Sequence, residues 1–190
     1  MPADLVETYR AFAYNNAWAN HRLLAACAKL DQGAFEAART SFFPSLQLTL
    51  NHNYTIDLFY IDALEGGSIG PRAWAKEVPY PSVASLAPAQ AALDRRLIAI
   101  CDALTPEALG RDLRINRQTS VQIERRDRLL MHLFQHQIHH RGQAHAMLAG
   151  TGVAPPQLDE FFSAMDAPLR AAELAELGWT EETIWGTPSP

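Results

Sequence analysis

The sequence predicts an all-α protein, a four-helix bundle with a long crossover, a small β-hairpin before the last bundle helix and a short C-terminal helix. Three observations predict it. Apolar residues recur at three-and-four spacing over residues 4–28, 45–65, 86–103 and 127–149, the period of a helix that buries one face. Between the second and third stretches, residues 68–85 hold Pro71, Pro79 and Pro81 and read as a crossover, which permits helix orders that short loops forbid. At 190 residues the chain fits a single domain, 1–190, with enough core to need no disulfide.

Each element has local signals. Pro44 suits the first turn of the second helix, and Gly66 with Gly67 stops it. Residues 112–116 and 120–124 alternate apolar and polar side chains around a polar turn, the pattern of a hairpin. Asp127 is placed to cap the last bundle helix, and Gly150 with Gly152 ends it. After Pro155 and Pro156, residues 158–175 read as a short helix, followed by a tail carrying Trp179 and Trp185.

Composition narrows the classes of function. Cys27 and Cys101 are the only cysteines and lie within periodic segments, so they read as buried free thiols of a reducing compartment, which points to the cytoplasm. No stretch approaches the roughly 20 apolar residues of a membrane span, and Met1-Pro2-Ala3-Asp4 does not open an export signal. A net charge of −5, with the basic residues of 111–128 interleaved with Asp112, Glu124 and Asp127, argues against nucleic acid as a partner.

Chemistry concentrates on the last long helix. His136 and His140 are four apart, one turn and one face, so both imidazoles can close on one ion. Winding that helix at about 100° per residue puts Leu129, Leu133, His136, His140, Gln143 and Met147 in one stripe. His132 and His139 fall toward its wettest sector, and His145 on the opposite side with Phe134 and Ile138, where a core or interface role is more economical. On the second helix the same winding aligns Ser45, Leu48, His52, Ile56, Phe59 and Ala63, so His52 points inward as a third ligand. Three imidazoles leave a coordination position open, the catalytic rather than the closed arrangement. Neither Glu-x-x-His pairs nor His-Glu-x-x-His occur, which favours a mononuclear site. Nitrogen ligands suit a divalent ion, Zn²⁺ or Ni²⁺ before Fe²⁺ or Cu²⁺.

Around these ligands stand further candidates. On the first helix Ala11, Tyr14, Trp18 and His21 share a face, so His21 is a candidate for the substrate side; Tyr14 and Trp18 read as packing residues before substrate contacts. Gln143 can hydrogen-bond a ligand or a bound water. Arg141, about 100° round from His140, suits pairing with a carboxylate or carbonyl, and Gly142 suits the close approach of another helix or side chain. A second apolar sector, Leu130, Phe134, Ile138 and Leu148, suits burial on both sides or a homodimer interface.

Tyr14-Asn15-Asn16-Ala17-Trp18-Ala19-Asn20, Leu50-Asn51-His52 and His136-x-x-x-His140-Arg141-Gly142-Gln143 together resemble the DinB/YfiT-like family over almost the whole length. The resemblance implies the bundle with its crossover and a three-histidine metal site on His52, His136 and His140. Its characterised members include thiol-dependent enzymes, S-transferases using bacillithiol and a maleylpyruvate isomerase using mycothiol. The expected function is therefore a metal-dependent S-transferase or isomerase that brings a low-molecular-weight thiol to a small electrophile. A hydrolase using metal-bound water and a non-catalytic metal-binding protein are the alternatives. Access to the open position is expected to depend on the 68–85 crossover and the C-terminal tail.

Overall fold

The structure, a computed structural model, describes residues 4–186, so both ends of the expected 1–190 domain lie outside the described residues. It is mostly helical, with one antiparallel hairpin. Helix α1 (Leu5–Cys27) begins at Asp4, whose carboxylate accepts from the Val6 amide. A short α2 (Gln32–Glu36) precedes α3 (Leu46–Leu64). Ser45 caps α3 by accepting from the Leu48 amide at 3.1 Å, so Pro44 lies one residue before the cap and not in the first turn. Gly66, at φ +82°, supplies the left-handed turn that ends α3.

A 3₁₀ turn (Gly70–Trp74) interrupts the proline-rich segment, and α4 (Val83–Asp102) follows. Its start lies three residues ahead of the expected one because Ser82 and Ser85 form a capping box, a local hydrogen-bond device that hydropathy does not register. After α5 (Pro106–Leu109), strands β1 (Asp112–Asn116) and β2 (Val121–Arg125) pair with Asp112 opposite Arg125 and Asn116 opposite Val121. β2 runs directly into α6 (Arg126–Ala149). Arg125 therefore occupies the cap position expected of Asp127, whose carboxylate accepts instead from the Arg125 Nε at 3.1 Å and the Arg128 amide at 2.7 Å. The expected helix over 158–175 shortens to a 3₁₀ turn and α7 (Ala167–Leu177), ended by Gly178 at φ +76°, and the tail adds α8 (Glu181–Trp185). Among the described residues no helix is long and apolar enough to cross a membrane.

Helix α1 packs against α4 and α6, and α3 packs against the same two. Trp18, Leu23, Leu97, Leu130, Leu133 and Leu148 are wholly buried among them. Threaded through this apolar interior is a polar layer to which each long helix contributes two residues four apart: Asn16 and Asn20, Asn53 and Asp57, Gln90 and Asp94, Gln137 and Arg141. All eight are buried, and one-turn spacing is what puts each pair on one face. Asp94 Oδ1 accepts from Asn20 at 3.0 Å, Asn16 at 3.2 Å and Gln90 at 3.1 Å, while Gln90 also donates to Asp57 Oδ2 at 3.0 Å. The layer thereby ties α1, α3 and α4 to one another, as buried polar groups require.

The C-terminal elements are held by another buried cation. Arg170, 1 % exposed, donates to Glu181 through Nε and Nη2, each at 2.8 Å, and to the carbonyls of Glu160 and Ser163. Replacing Arg170 by methionine keeps most of the apolar stem but strands two part-buried carbonyls and the Glu181 carboxylate. We expect a loss of about 2 kcal/mol or more and faster amide exchange concentrated in residues 157–186. Faster exchange spread evenly over the chain would contradict a local clamp.

Candidate metal centre

Three side chains from two helices converge. His52 on α3 and His136 and His140 on α6 each offer a ring nitrogen, and those three atoms lie within 4.8 Å of one another. His52 Nε2 faces His136 Nε2 at 3.1 Å. Two nitrogens bound to one tetrahedral ion at about 2.0–2.1 Å stand roughly 3.3 Å apart, so this pair already has close to the required separation. His140 Nδ1 lies 2.8 Å from Gln143 Oε1. With the amide oxygen on that side, Nδ1 carries the hydrogen and Nε2 keeps its lone pair for an ion. The Gln143 amide nitrogen in turn lies 3.1 Å from His139 Nε2. His136 Nδ1 is buried without a partner among the described residues, and its Nε2 is the ring nitrogen that faces His52.

The surroundings keep these rings neutral. Burial, with His140 adding to it, lowers His52 to about 4; burial and the neighbouring histidines lower His136 to about 3. His140 is lowered by burial as well, partly offset by the Gln143 hydrogen bond. A metal ligand must be an unprotonated imidazole, and at neutral pH all three are. The donor set therefore fits a divalent ion of the nitrogen-preferring kind.

Acidification acts on this site and on the polar layer in opposite senses. An unfolded histidine gains its proton near 6.5, whereas folded His52 and His136 resist protonation down to about 4 and 3. The unfolded state thus binds more protons in that window, and the stability these rings contribute is present above 6.5 and lost as pH falls. For Asp57 and Asp94, burial pushes the carboxyls up from 3.8 to about 7 and about 6. Their contribution is present below 3.8 and lost as pH rises through those values. Asp57→Asn removes one opposing contribution. The metal-free variant is expected to show a larger fall in urea midpoint than the parent on going from about pH 6.5 to about 4.5; an equal or smaller fall contradicts the assignment.

His52 sits on the flank of α3 and not on its innermost line. Thr49, Asn53 and Asp57 are the fully buried face, while Leu48, His52 and Ile56 are half-buried toward α6. The apolar stripe read from sequence is displaced because the centre of the molecule is polar. His132 and His139 are exposed, and His145 is half-buried with Nε2 donating to the Pro156 carbonyl at 2.8 Å. On α1, Tyr14 donates to Asp102 and meets the Trp179 ring edge-on, Trp18 packs on Phe161, and His21 lies 3.4 Å from Glu176. These three make their contacts on the side of α1 that meets α4 and the C-terminal elements. Gln143, by contrast, touches the cluster directly.

Other expectations change in detail. Arg141 Nη1 donates to the side-chain carbonyls of Asn16, of Asn20 at 3.2 Å and of Gln137 at 3.4 Å, with no carboxylate in ion-pair contact. Nothing approaches within 4 Å of the position a Gly142 Cβ would take, so the expected close approach is absent. Leu130, Phe134 and Leu148 are buried within the chain, leaving Ile138 of that sector exposed. Cys27 and Cys101 are free, buried thiols, pushed up to about 12 by burial, which removes them as nucleophiles.

Sequence reasoning passed over Phe43. Its ring lies 4.3 Å from that of His52 and 5.5 Å from that of His140, covering the cluster from the segment before α3. Next to it a cavity of about 610 Å³ is lined by Arg39, Thr40, Ser41, Phe42, Gln143 and Met147. Phe43 of the segment before α3 therefore borders the histidines, while Tyr80 of the 68–85 segment donates its amide to Asn51 Oδ1 at 2.9 Å. The adjoining Phe42-Phe43 pair ahead of the Ser45 cap was the available signal.

No curated protein matches the chain. A family model described as the DinB family matches residues 4–173 and takes in all three histidines, and the chain belongs to the DinB family.

Proposed function

We propose that the protein is a mononuclear metal-dependent enzyme that transfers a low-molecular-weight thiol to a small electrophile in the cytoplasm. The observation that carries this reading is the convergence of three neutral imidazoles, one of them bonded to Gln143, which also lines a cavity of about 610 Å³. Zn²⁺ or Ni²⁺ is the preferred ion, with Fe²⁺ or Cu²⁺ next. When bound, a divalent cation supplies Lewis acidity, lowering the pKa of a thiol that reaches it.

The chain's own residues supply the rest. Gln143 fixes the His140 ring, and Phe43 keeps water from the buried sides of His52 and His140. Arg39 brings positive charge to the cavity while its Nη1 and Nη2 bind the Ala37 and Ala34 carbonyls, an arrangement suited to an anionic thiol. The cluster contains no Asp or Glu among the described residues, which favours a thiol over a hydrolytic water that needs a dedicated base. The same reading takes the four long helices as a bundle and the segment between α3 and α4 as its crossover, supported by the way α1 and α3 each contact α4 and α6.

The test is conjugation or isomerisation by metal-loaded protein across cellular thiols and a panel of electrophiles. The expected result is thiol-dependent turnover that His136→Ala abolishes. Turnover without thiol would favour the hydrolase, and no turnover with any pair would leave a metal-binding protein without this activity.

A further inference from the structure

On the other flank of α6 lies a second cavity, about 480 Å³, between α1, α6 and residues 157–162. Its wall includes Arg141 and Asn15, which are 4 % and 7 % exposed. Arg141 spends only Nη1 on the protein; Nε and Nη2 have no acceptor among the described residues, yet they are not among the atoms sealed from solvent. The Asn15 amide likewise has no hydrogen-bond partner among the described residues and is not sealed. Asp57 and Asp94 in the same layer offset its charge from a distance, but among the described residues neither bonds the guanidinium, and buried N–H donors call for an acceptor. The two free donors of Arg141 form the planar fork that matches a carboxylate.

We propose that this cavity binds a small organic monocarboxylate, held by Arg141 Nε and Nη2 with the Asn15 amide as a further donor. Apolar walls from Ile138, Leu158 and Phe162 receive the body of the ligand. Asp159 also lines the cavity and is exposed, so its negative charge weighs against dianions and favours a single charge on the ligand. His145 offers no donor, because its Nε2–H is held by Pro156. Gly142 lines the cavity, and a Cβ there would meet nothing within 4 Å, so a long side chain has room to extend across it. The site is independent of the histidine cluster and of the activity proposed for it.

The experiment is titration of ¹⁵N-labelled full-length protein, in excess chelator, with sodium benzoate, followed at the Asn15 side-chain amide and the Gly142 backbone amide. Saturable shifts are expected, with benzamide at least about tenfold weaker because it lacks the charge. Gly142→Met should abolish the benzoate response while leaving thermal stability at or above the parent's, since methionine favours a helix over glycine. Arg141→Lys, which keeps the charge and loses the fork, should weaken binding. Non-saturating shifts, equal binding of benzamide, an unchanged response in Gly142→Met, or displacement of benzoate by lower concentrations of inorganic phosphate would each overturn the proposal.

Discussion

His136→Ala is expected to weaken Zn²⁺ binding by more than about 100-fold, the upper end of what removing a ligand's supporting partner brings. His136 Nε2 stands 3.1 Å from His52 Nε2, and without it only two imidazoles, His52 and His140, remain to hold the ion. His52→Ala should do the same. Gln143→Leu, which removes only the hydrogen bond that orients His140, is expected to lose about 10- to 100-fold. His132→Ala should bind like the parent, because His132 is exposed and outside the cluster. Competition titration against a chromogenic chelator measures the whole series. Equal losses in His132→Ala and His136→Ala would show that uptake is not confined to the three-histidine site.

The second large effect concerns stability. Trp18 is wholly buried, with its ring 5.5 Å from Phe161 and the Arg22 guanidinium 4.3 Å from its centroid. Trp18→Ala is expected to cost about 3–5 kcal/mol, and at this chain length that lowers the melting temperature by roughly 6–20 °C. Trp18→Phe should cost much less, since it leaves a smaller void and removes an indole N–H that has no acceptor among the described residues. Both variants should keep the metal stoichiometry of the parent when assayed well below their transitions. A Trp18→Phe variant as stable as the parent but unable to bind the ion would move Trp18 from the core to the site.

Much of the site was legible because one turn of helix is a fixed geometric step. The stripe Leu129, Leu133, His136, His140, Gln143 and Met147 follows from winding α6, and its members are buried or half-buried as the winding requires. The polar interior was harder to see. Asn16, Asn20, Asn53, Asp57, Gln90 and Asp94 read as surface residues when hydropathy alone decides the face, and the apolar stripe on α3 was accordingly drawn to the flank that carries His52. The four-residue spacing, repeated on every long helix, was the overlooked pattern. Helix ends slipped for a related reason: Ser82 with Ser85, and Ser45, set boundaries by one or two local hydrogen bonds, which carry little weight in a periodic reading. Phe43 escaped because its position over the rings depends on how residues 37–44 return to α3, where Arg39 and Pro44 share a backbone hydrogen bond of 2.8 Å.

X-ray absorption spectroscopy of the protein loaded with one equivalent of Zn²⁺ tests the central claim most directly, because it reads the donor atoms themselves. A shell containing three imidazole nitrogens per ion, reduced to two in His52→Ala, is the predicted result. A shell of carboxylate oxygens or thiolate sulfur, or one unchanged by His52→Ala, would contradict it.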